Sequence, residues 1–466
     1  MLKKNILYNF VYQFLIMFLP FVTAPYLSRI LGAEGIGIYS YSYSTALYFI
    51  YFSLLGLNNY GNRTIAGTQG GRRQLSKTFS ELFCMQLITA LLSTAFYLVY
   101  ILLFATNKVA AMCQLIFVAS SILDINWFFF GIEKFKLTVI RNTIVKLGTV
   151  LCIFLFVKVE TDVNKYIIIM ALGTLISNLV LWRFLRQYVD FKIARYKDII
   201  KHIRPNLMMF IPVIAVSIYK VMDKIMLGNM GSIASVGYFE NAEKIINVPV
   251  ALIIAVGTVM LPRISSYVAA GKRDDVKRYF DVFMMIVLAF ANAATFGIIS
   301  ISNEFVDIFY GKDFSQTAII MEYLAVTIIF LAAGNVLRTQ YLIPEKRDSV
   351  YIISAILGAI VNFVINLALI PRLDAVGAAI GTIFAELVVC GYQFLAAKKE
   401  IRLLKYLKWE SIFLIAGLLM YFIINNIQYD KNIYISLFIK IIIGGSSYFI
   451  IVYFLILRKF IKTLGK

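Results

Sequence analysis

Fourteen apolar stretches, each near the ~20 residues an α-helix needs to cross a bilayer, leave this chain few folds to choose from. They lie near 6–28, 36–59, 79–104, 110–131, 142–158, 165–184, 206–228, 235–260, 279–300, 316–337, 350–370, 376–397, 411–428 and 433–457. In hydrocarbon each backbone N–H and C=O must be satisfied within its own segment, so these stretches are read as helices. Hydrophobic residues make up 61% of the 466 and charged residues 15%. A soluble domain of this size carries about 25% charged residues, and no stretch between the spans is long enough to hold one. The expectation is an all-α polytopic membrane protein.

The net charge of +20 could point to nucleic acid, but its placement does not. With both termini inside, the inner segments hold 33 Lys and Arg and the outer loops seven. That asymmetry is the positive-inside pattern, and it sets both ends in the cytoplasm of a bacterial-type inner membrane. Five lysines remain inside spans: Lys146, Lys220, Lys224, Lys244 and Lys440. The four cysteines (Cys84, Cys113, Cys152, Cys390) fall in apolar spans without a CxxC pair and read as small packing residues. The single histidine, His202, lies in a basic loop, so histidine-based metal or nucleophile chemistry has almost no material. The N-terminal apolar run is too long for a signal peptide and lacks a small-residue cleavage site, so it reads as the first span.

The chain also repeats itself. RTIAGTQGGRRQLSKTFSELF from Arg63 matches RISSYVAAGKRDDVKRYFDVF from Arg263 at a constant offset of 200, pairing Gly71 with Gly271, Arg73 with Arg273 and Phe83 with Phe283. Later pairs drift, among them Glu133-Lys134 with Glu345-Lys346. Six spans separate the copies, so the repeats run parallel. The division read from this is an N-lobe over 1–190, a basic cytoplasmic linker over 191–205, a C-lobe over 206–398, and an extra helix pair with a basic tail over 399–466. Two duplicated six-helix lobes describe a transporter that rocks about a central cavity. The first helix of each lobe carries prolines, Pro20 and Pro25 in one and Pro212 in the other, which either break the helix at the site or merely bend it. The basic run 183–204 reads as an amphipathic helix on the inner leaflet.

Charge at bilayer depth costs roughly 2.5–3.5 kcal/mol per group on insertion scales, so it marks function or a partner. It concentrates between Pro212 and Lys244. Lys220 and Lys224 are four apart on one helix face with Asp223 close to both, which is what an anionic diphosphate head group needs. Arg29, Lys146 and Arg338 are further candidates for the substrate, although each is near enough to a span end to meet lipid head groups instead. Asp124 stands alone near the middle of the fourth span, and with Asp223 and Glu240 it is a candidate for coupling to H+ or Na+. A static pair with a neighbouring lysine is the alternative for Asp124. Glu386 is a weaker candidate of the same kind. Tyr39, Tyr41 and Tyr43 alternate, so on a helix they spread around it.

PYLSRILGAEGIGIYSYSYS from Pro25, INWFFFGIEKFK from Ile125, and MDKIMLG with VGYFENAEKI in the second lobe resemble the polysaccharide repeat-unit flippases (the Wzx type, exporters of O-antigen, capsule and teichoic-type polymers). That family sits in the multidrug/oligosaccharidyl-lipid/polysaccharide (MOP) exporter superfamily with the MATE drug exporters. The resemblance covers the whole chain and its fourteen spans. It implies translocation of undecaprenyl-diphosphate-linked oligosaccharide from the inner to the outer leaflet, a cationic central cavity, and proton or sodium antiport. It also implies membrane lipids and other polysaccharide-assembly proteins as partners, and no organic cofactor. Arg29 of LSRILG and Asp223-Lys224 of MDKIMLG are its clearest positional matches.

Two other classes fit these residues less well. A membrane enzyme such as a polymerase needs acids or histidines in sizeable outer loops, and the longest outer loop, 301–315, is short. The chain is therefore not expected to be an enzyme. A cation-coupled multidrug exporter of the same superfamily would favour acidic cavities and twelve spans, against the lysines of the seventh span and the final helix pair.

Overall fold

A computed structural model describes residues 2–68, 70–427 and 432–457, the side chains of 2–18, 218–220 and 456–457 excepted. Its contacts divide the chain into two compact units, Met1–Gly228 and Asn229–Lys466. The first contains α1 (Leu2–Leu54), α2 (Leu57–Ala66), α3 (Gly71–Leu103), α4 (Lys108–Ser120), α5 (Asn126–Gly131), α6 (Phe135–Phe156), α7 (Val163–Leu185) and almost all of α8 (Tyr196–Met230). The second contains α9 (Ile233–Ala269), α10 (Arg273–Phe309), α11 (Ser315–Ala325), α12 (Thr327–Leu337), α13 (Asp348–Leu373), α14 (Ala375–Ala397), α15 (Leu403–Asn425) and α16 (Ile433–Val452).

Twelve segments of the described residues are long and apolar enough to cross a membrane, and they coincide with the expected third to fourteenth spans. The first expected span and most of the second fall in α1, which ends at Leu54. Its only interior break is Gly32, at φ 65° and ψ 179°. Pro20 and Pro25 lie inside that helix and Pro212 inside α8 without ending either, so of the two readings, a break or a bend, none of the three breaks its helix. A proline removes one N–H, and neighbouring groups in a bundle re-satisfy the carbonyl it frees.

The boundary between units falls after Gly228, later than the linker over 191–205 would place it. The cause is the grip of the first unit on the start of α8. A Cβ on Gly56 would sit 2.7 Å from backbone atoms of Met209 and Phe210, so only glycine lets these two backbones approach so closely. His202, expected in a loop, is a buried residue of α8. Its Nε2 lies 3.0 Å from Glu81 and its Nδ1 2.7 Å from the Tyr60 hydroxyl. The linker itself is not an amphipathic helix before Tyr196. Residues 190–194 lie along α3, where the backbone N–H groups of Asp190, Lys192 and Ala194 donate to Ser76 Oγ, Ser80 Oγ and Cys84 Sγ, one turn apart. Arg72 closes this strap on the Asp190 carboxylate at 2.8 Å.

Among lipid tails the hydrophobic effect does not drive helices together; packing and hydrogen bonds do. In the first unit Phe79 stacks on Trp127, centroids 5.6 Å apart, and Phe83 meets Trp182 edge-on at 4.9 Å. Tyr39 stacks on Tyr43 and packs on Tyr166, while Tyr41 faces Gly228 from another side of α1. In the second unit the final helix pair is clasped to α10. Asp281 accepts from Lys405 Nζ at 2.6 Å and from the Tyr406 hydroxyl at 2.5 Å. Lys440 pairs with Glu304, and the Tyr448 hydroxyl donates to the Ala289 carbonyl at 2.8 Å.

Local geometry repeats along the chain as well as sequence. Gly71 and Gly271, paired by the offset of 200, both adopt the left-handed region at φ 73° and 70°. The turns after the fourth and tenth spans also share one conformation. Glu133 (φ 57°) and Lys346 (φ 56°) occupy the left-handed position. The next N–H in each closes the helix end, Lys134 on Phe129 O at 2.9 Å and Arg347 on Leu342 O at 2.8 Å. The conformational partner of Glu133 is therefore Lys346, one residue beyond the Glu345 that letter matching selects.

Candidate functional site

The densest polar junction in the first unit forms where the fourth span comes apart. After α4 the chain passes through one 3-10 turn, Ser121–Leu123, and then extends at Asp124 (ψ 103°) before α5 begins at Asn126. Unwinding leaves carbonyls without helical donors, and three side chains supply them. Asn178 Nδ2 donates to Ser120 O at 3.0 Å, Trp182 Nε1 to Leu123 O at 3.0 Å, and Gln86 Nε2 to both Ser121 O and Asp124 O at 2.8 Å. Gln86 Oε1 in turn accepts from Trp127 Nε1 at 2.8 Å. The INWFFFG motif is thus a helix restart whose tryptophan and aromatic run lock the break into the α3 face.

Asp124 is not alone, as its position in the span suggested. Its Oδ1 accepts from the Asn126 N–H at 2.9 Å and from Asn126 Nδ2 at 2.6 Å, so from one residue before the N-cap it satisfies the first free N–H of the restarted helix. Asn126 Oδ1 accepts from Arg141 Nη2 at 2.9 Å, and Arg141 also donates to Ser177 O at 2.8 Å and Asn142 Oδ1 at 2.5 Å. A carboxylate and a buried guanidinium thus stand one amide apart where the helix opens. Arg141 falls just before the expected fifth span at 142–158, and the structure places it inside α6, where it donates to three acceptors. Gln86, Asn178 and Trp182 were also missed, although a Gln or Asn inside an apolar run is itself a signal of interhelical bonding.

The other candidates lie in separate places. Asp223 is buried on α8 and within electrostatic reach of Tyr48 on α1. Lys224 and Lys146 are half-buried and Arg29 is exposed, and each of the three engages neighbours. The Lys220 side chain lies outside the described residues, so its pairing with Lys224 and Asp223 is not seen. In the second unit, Glu240 takes part in an intrahelical ion pair with Lys244, Oε1 to Nζ 3.4 Å. Lys244 also reaches Asn241 Oδ1, and the Asn241 carbonyl accepts from the Tyr310 hydroxyl at 3.0 Å. Arg338, on a π-helical turn, donates to the Tyr351 hydroxyl at 3.2 Å with its guanidinium 5.1 Å from that ring's centroid. Glu386 is buried on α14. Chemically, these groups offer cations and carboxylates inside membrane helices, the means to hold an anionic head group or a small cation.

Twelve segments of the described residues long and apolar enough to cross a membrane, with charged side chains among them, define a multi-pass membrane protein. Residues 2–268 match the family described as polysaccharide biosynthesis protein, and the chain belongs to that family. Two relatives named for O-antigen transport match it almost end to end. One, from Shigella dysenteriae, is 24% identical over 404 residues, covering 85% of this chain and 100% of the relative. The other, from Escherichia coli (strain K12), is 22% identical over 396 residues, covering 83% and 94%. Among solved structures, the lipid II flippase MurJ in its inward closed conformation superposes with a TM-score of 0.77 at 17% identity over 100% of both chains. An inward-facing MATE multidrug transporter of the MOP superfamily gives 0.58 at 15% identity, over 80% of this chain and 94% of that one. The fold is therefore shared with these two solved transporters.

Proposed function

We propose that this protein is a flippase that moves undecaprenyl-diphosphate-linked oligosaccharide repeat units from the inner to the outer leaflet of a bacterial cytoplasmic membrane. It works by alternating access, with both termini cytoplasmic, and supplies cell-surface polysaccharide assembly. The observation that carries this reading is the near end-to-end similarity to two proteins named for O-antigen transport, within a family of polysaccharide biosynthesis proteins. The chain makes no covalent change in its substrate; its task is to bind a diphosphate and give it a polar route. Lys220 and Lys224 hold the diphosphate, with Arg29, Lys146 and Arg338 as further contacts. Asp223, buried between the two lysine positions, sets their charge. Asp124, Asp223 and Glu240 are the acids proposed to exchange H+ or Na+ for the substrate. Glu240 does so by leaving Lys244, and Asp124 through the Asn126–Arg141 relay. A drug exporter is less well supported, because two lysines and an arginine within or beside the spans suit anions better than cationic drugs.

The test is the leaflet distribution of lipid-diphosphate oligosaccharide in cells lacking the protein and any redundant flippase. Accumulation in the inner leaflet, relieved by the wild-type gene, is the expected result. An unchanged distribution on deletion overturns the reading.

A further inference from the structure

One carboxylate within the spans lies outside every role assigned above. Glu410 is on α15, about 10 Å along the helix from its start at Leu403. Its hydrogen-bonding partner is a single neutral amide, with Asn292 Nδ2 lying 3.0 Å from Oε1 and 3.1 Å from Oε2. Asn292 is fully buried in α10, and Nδ2 also donates to Leu288 O at 2.9 Å, so both amide hydrogens are in use. Its Oδ1, by contrast, is a buried acceptor with no donor. An ionised carboxylate only accepts and cannot supply one. The ionisable groups around Glu410 do not supply a cation either. Tyr448 on α16 and Cys390 on α14 are within electrostatic reach of it, and Cys390 also senses Glu386. The nearest lysine on that face of α15, Lys405, is bound to Asp281, and Lys408 is exposed. Among the described residues no basic side chain is within ion-pair distance of Glu410.

We propose that Glu410 is a proton-binding site. The proton turns one carboxyl oxygen into an O–H donor. A rotation of the Asn292 amide, in which Nδ2 leaves both Leu288 O and the carboxyl group, then brings its unmatched oxygen to that hydrogen, and loss of the proton restores both Nδ2 contacts. The balance is one proton taken up and one released, with no covalent change in the protein. Protonation thereby governs how α15 is fastened to α10 midway between the Asp281 and Glu304 clasps. Its use as the coupling step rests on the flippase reading; the proton site itself does not.

The experiment uses the full-length protein in lipid nanodiscs treated with dicyclohexylcarbodiimide, which modifies protonated carboxyls in apolar surroundings. Peptide mass spectrometry follows the adduct between about pH 6 and about pH 9, a range in which an ordinary glutamate stays ionised. An infrared difference spectrum against Glu410→Gln reports the protonated carboxyl independently of reagent access. We expect an adduct at Glu410 at about pH 7 that falls at least about ten-fold by pH 9, while exposed Glu400 stays unmodified, together with a protonated-carboxyl band missing from the variant. A Glu410 that gives neither adduct nor band down to about pH 6 overturns the proposal and leaves the Asn292 contact as a static tie. If Glu410 titrates as described but vesicles holding the wild-type protein move no lipid-linked oligosaccharide, the flippase reading fails and the proton site stands.

Discussion

Replacing Gln86 by leucine isolates what holds the fourth span open. Gln86 is fully buried and uses every polar atom of its side chain, two N–H donors on Ser121 O and Asp124 O and one oxygen on Trp127 Nε1, all at 2.8 Å. Leucine fills a similar volume but strands the Asp124 carbonyl and the indole N–H, while Ser121 O keeps only the Asp124 N–H at 3.3 Å. Each stranded group costs about 1–3 kcal/mol, so even the low end gives about 2 kcal/mol. Trp127→Phe removes the indole donor and should cost about 2 kcal/mol by itself. The double variant should cost about 1–2 kcal/mol less than the sum, because the two residues share one bond. Equilibrium unfolding in mixed bicelles by added denaturing detergent reads these differences. A Gln86→Leu variant within about 1 kcal/mol of wild type, or strict additivity with Trp127→Phe, would refute the assigned network.

Other expectations follow from single geometries. Gly71→Ala and Gly271→Ala meet no atom within 4 Å, so each is opposed only by its left-handed backbone. Each should cost about 1 kcal/mol in the same unfolding assay, with the asparagine variants nearer wild type. At the turn after α12, Arg347 Nη2 sits 2.7 Å from Glu400 Oε1, and this hydrogen bond holds the Glu400 carboxyl below its ordinary value. A lowered carboxyl stabilises the fold above the unfolded value of about 4.3 and loses that contribution as pH falls through the lower folded value. Both partners are more than a third exposed, at 36% and 40%, so screening keeps the effect small. Arg347→Gln should therefore destabilise by less than about 1 kcal/mol at neutral pH. The difference should vanish on strong acidification in a denaturation series.

Much of this architecture was legible in the residues because the bilayer imposes a single length and a single polarity on every span. The described membrane-crossing segments match their expected positions, and the offset that pairs Gly71 with Gly271 also pairs their backbone conformations. What stayed hidden depends on partners far apart in the chain. Nothing near Asp124 announces that Gln86 and Arg141 meet its helix break from other helices, or that Asn126 stands between the two charges. Asp190 to Ala194 read as part of an amphipathic surface helix because the periodic Ser76, Ser80 and Cys84 acceptors sit more than 100 residues away. The prolines of α1 left a break and a bend equally open for the opposite reason. A local breaker was visible, but the groups that neutralise it were not.

The most direct measurement of the central claim is flipping of a fluorescent lipid-diphosphate oligosaccharide in vesicles reconstituted with purified protein. Wild type is compared with the Lys220→Gln/Lys224→Gln double variant, with matched folding verified for both. We predict protein-dependent movement between leaflets by wild type and its loss in the double variant. Wild-type vesicles no faster than protein-free ones would contradict the flippase function. Equal movement by both proteins would contradict the assignment of these lysines to the diphosphate.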